Sequence, residues 1–580
     1  MASVDGWTGV ILRVNLARPE VSQEVLGKDE LRKYVGGRGL AGHLLAKGVD
    51  PTIDALSPAN KMVFANGPLT GTIAPGNGRC VVVSKSALNN GIACANIGGF
   101  WAAELKSAGY DALIVEGKAS EPTYLWVGDK GVELRSAAHL WGKGTRQGAS
   151  EIRKETVDDA AIISIGQAGE RLARIASLVE ANKRWSSGRA GLGAVMGSKN
   201  LKAIAIKGSG SIRVADRQGF EKMVKELNSR IASETLLSQH IAYWGTASIV
   251  KLLHSQGALP VCNFQGASAL PQAGLPSEYI ASSIFKRRTS CFACPVACGR
   301  VSQVLQATGE GPELEDIMAL GSNLGITDIS AVAMASYLCE DFGLDPVAAG
   351  SAIACAMEMQ DKGVLDVARV GTSFSFGDSS GVANILNLMA SRHGVGELMA
   401  EGGYQLAKQY GVPEFFMGVK KQAFSAYDPS KDEWLALSYT TSNTGAASAV
   451  DGKLIRATLR SLNRHPGNEA DEVERIKIRQ DLSVAMECAG ICPLIAAALD
   501  ANEVASLVGA ATGIDFSTAD LLAAGERTWD SERIFNLGAG FTALDDQLPG
   551  RFRQLTNGDL VQEYYRIRGW DSSGRPGAQV

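Results

Sequence analysis

The sequence predicts an α+β protein, with a β-sheet-rich N-terminal part followed by two mainly α-helical parts. Short β-prone runs bounded by Gly, Asn, Asp or Ser recur through the first 210 residues. From Arg217 onward, apolar residues instead recur at spacings of three and four. The length, 580 residues, exceeds what one hydrophobic core supports, so two to four structural units are expected.

The β-prone runs are VILRVNL, KMVFANG, RCVVVSKS, DALIVEG, TYLWVG, AAIISIG and KAIAIKG, with a helix in FWAAELKSAG between them. After SGSIRVAD the pattern changes, and FEKMVKELNSRI and DISAVAMASYLCEDF read as helices. AYDPSKDEW, around Pro429, is a turn-rich interruption before a second helical region that runs to about Leu544. Boundaries near 210 and 418 give three parts: 1–210, 211–417 and 418–580. The tail SSGRPGAQV reads as disordered. The 66 glycines predict many backbone positions with φ > 0 or a close approach to another group.

Hydrophobic residues make up 45% and charged residues 20%, an ordinary soluble composition. The net charge of −4 implies no basic surface of the kind that binds nucleic acid or an anionic membrane, so neither partner is expected. The start, MASVDGWTGVILRVNL, has no basic segment followed by an apolar one, and does not read as a signal peptide. Uncharged apolar stretches long enough to span a membrane are missing, and the expected location is the cytoplasm.

Ten cysteines are present, and three form Cys291-Phe-Ala-Cys294-Pro-Val-Ala-Cys298. A lone buried cysteine is usually a small hydrophobe. Three at C-x2-C-x3-C spacing in a reducing compartment point to metal. Zinc is one reading, although zinc sites more often pair two close cysteines with a second close pair. Three clustered thiolates and a remote fourth suit an iron–sulfur cubane. The remote candidates are Cys488 and Cys492. Pro295 keeps the segment a loop.

Two hexapeptides match: Glu340-Asp-Phe-Gly343-Leu344-Asp345 and Glu487-Cys-Ala-Gly490-Ile491-Cys492. Both follow a helical stretch, and in each the glycine stands where a helix ends. Each therefore places a glutamate in the last turn, where the helix dipole disfavours a carboxylate. Two such sites in matching motifs indicate two similar acceptor sites for related ligands, since a carboxylate accepts paired N–H bonds from a planar heterocycle.

With these motifs the chain resembles the tungsten-containing aldehyde:ferredoxin oxidoreductase family. That family carries D-x-x-G-L-D and D-x-x-G-L-C at these positions and C-x2-C-x3-C upstream. The resemblance implies that Glu340, Leu344 and Asp345 hold one pterin of a tungsten (or molybdenum) bis-pterin, and that Glu487 and Ile491 hold the other. It implies a [4Fe-4S] cluster on Cys291, Cys294, Cys298 and Cys492. GRCVVVSKS, NIGGFWAAELKSAGYDALIVEGKA and SSGRAGLGAVMGSKNLKAIAIKG resemble the family's pterin-phosphate segments, and YYRIRGWD matches near the C-terminus. Glycine-rich turns expose backbone N–H groups, here at Gly98 and Gly188, and Arg79 and Arg189 can fork onto phosphate. Asn96 and Ser186 match the positions that hold a Mg2+ bridging the two phosphates. Gly445 falls in the T-S-N-x-G segment near the substrate side.

The sequence also departs from the family. Glutamates replace both pterin-binding aspartates, Trp185 stands where an arginine is common, and Ser448 stands where the family has a substrate-side histidine. The E-x-x-H iron site that bridges subunits in the best-known homodimers is not found, so a homo-oligomer here would use another interface.

The activity implied is oxidation of an aldehyde to a carboxylic acid, with electrons leaving through the cluster to ferredoxin or an iron–sulfur partner subunit. One acid–base group is still needed. The candidates are Glu313 and Glu315, in GPELED, and His240, in LLSQHIAYWGTA. Glu313 and Glu315 read equally as acids at a helix start, and His240 as a structural histidine. Cys339, beside Glu340, reads as a buried helix cysteine. Two other readings compete: a low-potential reductase resembling an aryl-CoA reductase subunit, which the missing histidine supports, and a cofactor-free or cluster-only scaffold, which the phosphate segments and both hexapeptides oppose.

Overall fold

The structure, a computed structural model, describes residues 5–181, 185–266, 283–366, 371–446, 472–496, 498–556 and 558–577, with only the backbone at 185–187. Each β-prone run forms a strand, and two six-stranded sheets result. The first contains Val10–Asn15 (β1), Glu20–Val25 (β2), Met62–Ala65 (β3), Arg79–Lys85 (β4), Ile92–Gly98 (β5) and Ala112–Glu116 (β6), in the order β2-β1-β6-β3-β4-β5. The second contains Thr123–Gly128 (β7), Gly131–Ser136 (β8), Ala161–Ser164 (β9), Leu178–Ala181 (β10), Trp185–Gly188 (β11) and Leu201–Lys207 (β12), in the order β11-β10-β9-β12-β7-β8. Each sheet has one parallel pairing, β1 with β6 and β7 with β12, among antiparallel ones.

Strands β3 and β9 are buried along their whole length, which is why they read as unbroken apolar runs. β2, wholly exposed, is an edge strand in which Val21 and Val25 stand among polar residues. The edge strands β5 and β11 face each other. A Cβ added at Gly188 would lie 2.9 Å from Ile97 Cδ1 and 3.1 Å from Ala95 Cβ. The short helix Trp101–Ser107 links the sheets, and buried Trp101 donates its indole N–H to the Ile204 carbonyl at 3.1 Å.

Beyond β12 helices dominate. The helix Arg217–Ser233 is capped by Asp216, which accepts from Gly219 N–H. The helices Ile329–Phe342, Pro346–Asp361, Glu472–Ala489, Ala501–Thr512 and Thr518–Gly538 follow. The turn-rich stretch at Pro429 is a 3-10 turn leading into the helix Glu433–Thr441. A small antiparallel sheet interrupts the helices: Phe285–Thr289 (β13), Gly299–Val304 (β14) and Ala307–Glu310 (β15), with β13 at an edge. Among the described residues no single helix is long and apolar enough to cross a membrane.

The tail does not behave as expected. Through residue 577 it is folded, because buried Arg533 needs acceptors. Its Nε donates to the Gly574 carbonyl at 2.8 Å, and Asp571 Oδ1 accepts from Ser573 N–H at 2.9 Å and Arg575 N–H at 3.1 Å.

Candidate functional site

The two hexapeptides end their helices in the same way. Gly343 is left-handed at φ 69°, and Gly490 has φ 88°. Leu344 N–H reaches back to the Cys339 carbonyl at 2.8 Å, and Ile491 N–H to the Met486 carbonyl at 3.0 Å. This is the Schellman pattern that satisfies the last carbonyls of a helix. The likeness runs one residue further than the hexapeptide. Pro346 and Pro493 each open the next helix, with Asp345 and Cys492 just before them. Asp345 caps its helix by accepting from Val347 N–H at 2.9 Å.

Glycines of the N-terminal part clamp both helix ends. A Cβ at Gly37 would collide with the Glu487 carbonyl, and one at Gly166 with the backbone of Phe342. Much of the high glycine content is thus used where one backbone rests on another.

Each glutamate meets an arginine. Arg146 donates to Glu340 Oε2 at 2.6 Å. Arg38 donates to Glu487 Oε2 at 2.9 Å and, through Nε, to Glu532 Oε1 at 2.7 Å. Burial pushes the Glu340 carboxyl well above the usual range, against the opposing pull of Arg146. Neither arginine was expected from the sequence; Arg38 lies in the glycine-rich GGRG, and Arg146 lies at a helix start with no motif around it.

The three clustered cysteines occupy the loop between β13 and β14, closed where Thr289 pairs with Gly299. Ala293 and Ala297, each just before a cysteine, are left-handed at φ 48° and 50°, so the chain turns sharply between the thiols. Phe292 N–H donates to the Gly99 carbonyl at 3.0 Å, and a Cβ at Gly98 would lie 3.1 Å from Cys291 Sγ. From the other side, Cys492 N–H donates to the Gly76 carbonyl at 2.8 Å. The N-terminal sheet thus brings residue 492 to the loop. Cys488 turns away, its Sγ accepting from Gly39 N–H at 3.1 Å.

One cavity of about 320 Å³ joins these parts. Its wall includes Cys291, Cys294, Cys298 and Cys492, together with Glu340, Leu344 and Asp345 of the first hexapeptide. Arg79, Asn96, Arg189, Glu313 and Glu315 also line it, as do Thr246, Asp316 and buried Cys339. Arg189 donates to Asp345 Oδ2 at 3.1 Å. Arg79 Nε donates to Asn96 Oδ1 at 2.6 Å, and Asn96 Nδ2 donates to Glu487 Oε1 at 3.1 Å. This chain of bonds connects the cavity to the second hexapeptide, whose Glu487 and Ile491 lie behind the wall.

The acids in GPELED divide their roles. Glu313 is the N-cap of the helix Leu314–Leu320, in a capping box with Asp316, and accepts from the Thr246 hydroxyl. Glu315 Oε2 is buried without a hydrogen-bond partner. Burial raises the Glu315 carboxyl, and Arg189 opposes the shift. Asp316 is pushed up to about 7, chiefly by burial.

Several predicted residues lie outside the cavity wall. His240 is exposed on the π-helical turn Leu236–Ile241, because the apolar Leu237 and Ile241 take the buried side; it is not brought to the site. Gly445 is a left-handed turn at φ 79° packed against Gln422 and Val419. Gly98 adjoins Arg79 and Cys291. The backbone of Ser186, in β11, pairs with that of Glu180 in β10, and Ser448 lies outside the described residues.

Carboxyls and thiols converging on one half-open, largely apolar cavity make it the active site of an enzyme, and the family the chain matches is one of oxidoreductases. The chain belongs to the aldehyde ferredoxin oxidoreductase family: the family's N-terminal domain matches residues 11–208, and its domains 2 and 3 match residues 222–580. The tungsten-containing aldehyde ferredoxin oxidoreductase of Pyrococcus furiosus is 40% identical over 98% of this chain and 97% of its own length. That of Thermococcus kodakarensis is also 40% identical, with the same coverage. The WOR-like subunit of an aliphatic sulfonate oxidoreductase from Pyrococcus furiosus is 31% identical over 78% of each chain. Among solved structures, the active-site complex BamBC of benzoyl coenzyme A reductase shares the fold, with a TM-score of 0.88 over 99% of this chain and 96% of that chain at 23% identity.

Proposed function

We propose that this chain is the catalytic subunit of a tungsten bis-pterin oxidoreductase that oxidises an aldehyde to a carboxylic acid. Electrons leave through a [4Fe-4S] cluster to ferredoxin or an iron–sulfur partner subunit. The observation that carries this reading is the duplicated, identically capped glutamate motif beside a cavity lined by four cysteines. Full-length relatives that contain tungsten and act with ferredoxin support it.

The residues fit these groups. Cys291, Cys294, Cys298 and Cys492 would hold the cluster. Three thiols within one loop and a remote fourth on the wall of the same cavity suit the spread ligand set of a cubane better than the paired close cysteines of a zinc site. Glu340, Leu344 and Asp345 would hold one pterin, and Glu487 and Ile491 the other. Arg79 and Arg189, with the turns at Gly98 and Gly188, would hold the phosphates, and Asn96 and Ser186 a bridging Mg2+. Gly445 would stand in the segment leading to the substrate side. The cavity lies between the part before 210 and the helical parts, which we divide near 418.

When bound, the metal bis-pterin supplies the two-electron redox step and the cluster a one-electron route out; molybdenum would serve the same sulfurs. Converting an aldehyde and water to a carboxylic acid releases two protons with the two electrons. Glu315, with one oxygen unpartnered and its affinity for protons raised by burial, is the residue suited to take a proton. Glu313, tied up as a helix cap, is the second candidate.

A low-potential reductase of the same family is the second reading, favoured by Ser448 in place of the histidine. Anaerobic purification, metal analysis and a viologen-linked substrate screen in both directions test the proposal. Tungsten or molybdenum with iron, and aldehyde-dependent dye reduction, are expected. A sample with iron alone and no such turnover would overturn it.

A further inference from the structure

We propose that the cysteine loop and the basic edge strand β13 form the docking face for a small, acidic electron-carrier protein. The inference rests on the reading that the four cysteines hold the cluster, and it adds where electrons leave and which charge receives them.

The loop reaches the surface at one place. Cys291 and Cys298 are buried, whereas Cys294 is partly exposed between exposed Ala293 and Pro295. These small apolar residues let another protein approach closely. On one side, Phe292 lines a groove with Ile73, which is 53% exposed. On the other side, Lys286, Arg287 and Arg288 of β13 are all exposed. None of the three pairs with a carboxylate among the described residues. Arg288 instead donates to the Val296 carbonyl of the loop at 3.3 Å, which fixes its charge beside the cysteines.

The charge is local. Acids outnumber bases in the chain, 61 to 57, yet no Asp or Glu stands between Glu278 and Glu310, a stretch that holds the exposed Lys286, Arg287 and Arg288 and the buried Arg300, whose guanidinium is taken up by backbone carbonyls. Charged residues on an edge strand also block strand pairing. Either sign serves that purpose, whereas only one occurs here. In the groove on the Phe292 side the charges pair off, Asp5 with Arg213 and Glu221 with Arg217, so the one-signed charge beside the loop is that of β13. A small apolar contact with such charge at its edge is the arrangement of transient electron-transfer encounters. Their interfaces are small, and charge speeds association and sets orientation.

The test uses the complete holoenzyme and an acidic iron–sulfur ferredoxin as the probe. Binding of oxidised ferredoxin is titrated at low and high salt for wild type, the pair Lys286→Glu/Arg287→Glu, and a control pair, Lys118→Glu/Lys130→Glu. The control residues are exposed in the N-terminal part, and the control carries the same net change. Arg288 is left in place because it touches the loop. Wild-type binding should weaken with salt. The β13 pair should bind about tenfold more weakly and lose much of that dependence, while the control binds as wild type does. Equal binding by wild type and the β13 pair overturns the proposal, and so does equal weakening by both pairs. Aldehyde-driven reduction of benzyl viologen is measured in parallel. Its absence in wild type would overturn the aldehyde reading while the binding titration still judged the docking face.

Discussion

Glu340 and Glu487 stand at the same position of two identically capped helices, three residues before a glycine with positive φ, and each carboxylate is held by an arginine from the N-terminal part. The helix dipole opposes a carboxylate there, so the arginines and the ligand must stabilise it. Glu340→Gln and Glu487→Gln keep an acceptor oxygen but add a competing donor and lose a charge-assisted bond, about 1.5–3 kcal/mol each. Tungsten or molybdenum content and released pterin should fall by at least about tenfold in both variants, the factor that 1.4 kcal/mol represents. Full metal content and turnover in both would sink the assignment.

The cluster assignment separates two nearby cysteines. Cys492 lines the cavity, while Cys488 is buried against Gly39. Cys492→Ser should lose or convert the cluster, seen in iron content and in the electron paramagnetic resonance of the reduced protein. Cys488→Ser should keep both. Loss of the signal in Cys488→Ser alone would reverse the choice.

The same two motifs mark how far the sequence could be read. The runs in β3, β4 and β6 were legible because unbroken or alternating apolar residues leave few alternatives. β5, with the sequence IACANIG, and β11, with WSSG, were not, because small and polar residues carry little strand preference; their place at facing sheet edges depends on the rest of the sheet. The cysteine loop was legible through spacing alone, but the small sheet that holds it was not. Within the site, local motifs showed the carboxylates and thiols. Arg38 and Arg146 act from hundreds of residues away, and only the fold brings them to Glu487 and Glu340. His240 shows the reverse case: its chemistry suited the site, but apolar Leu237 and Ile241 decide which side of the turn is buried.

That outcome narrows the search for the acid–base group. Loss of a positioned group of this kind costs about 10²–10⁴ in rate. Glu315→Gln should lower turnover by at least about tenfold, allowing for rescue by water. Glu313→Gln should act through the helix cap as well, losing about 1 kcal/mol of stability. His240→Asn should leave turnover near wild type. The comparison requires matched metal and cluster contents. Near-full turnover in both glutamate variants would move the proton acceptor elsewhere, with water on the metal the next candidate.

Glu180 offers a test of the scaffold itself. It lies in β10, fully buried, with Oε1 accepting from Phe100 N–H at 3.1 Å and Oε2 without a partner. Burial pushes its carboxyl from the ordinary 4.5 up to about 8, with Glu310 adding to the rise and the backbone donors Phe100 and Trp101 opposing it. The folded state therefore binds the proton more tightly than the unfolded chain does. Below pH 4.5 both states are protonated and the folded form bears no cost. As pH rises through the window up to about 8, the unfolded chain ionises first and stability is lost. At about 1.4 kcal/mol per unit, the full loss is on the order of 5 kcal/mol. Glu180→Gln keeps the acceptor for Phe100 and does not titrate. Its advantage over wild type should widen by roughly 2–3 kcal/mol between about pH 6 and pH 8 in urea unfolding, read at the first transition. A gap that stays constant with pH would mean that Glu180 is ionised in the folded protein, its charge matched by a group brought close to Oε2.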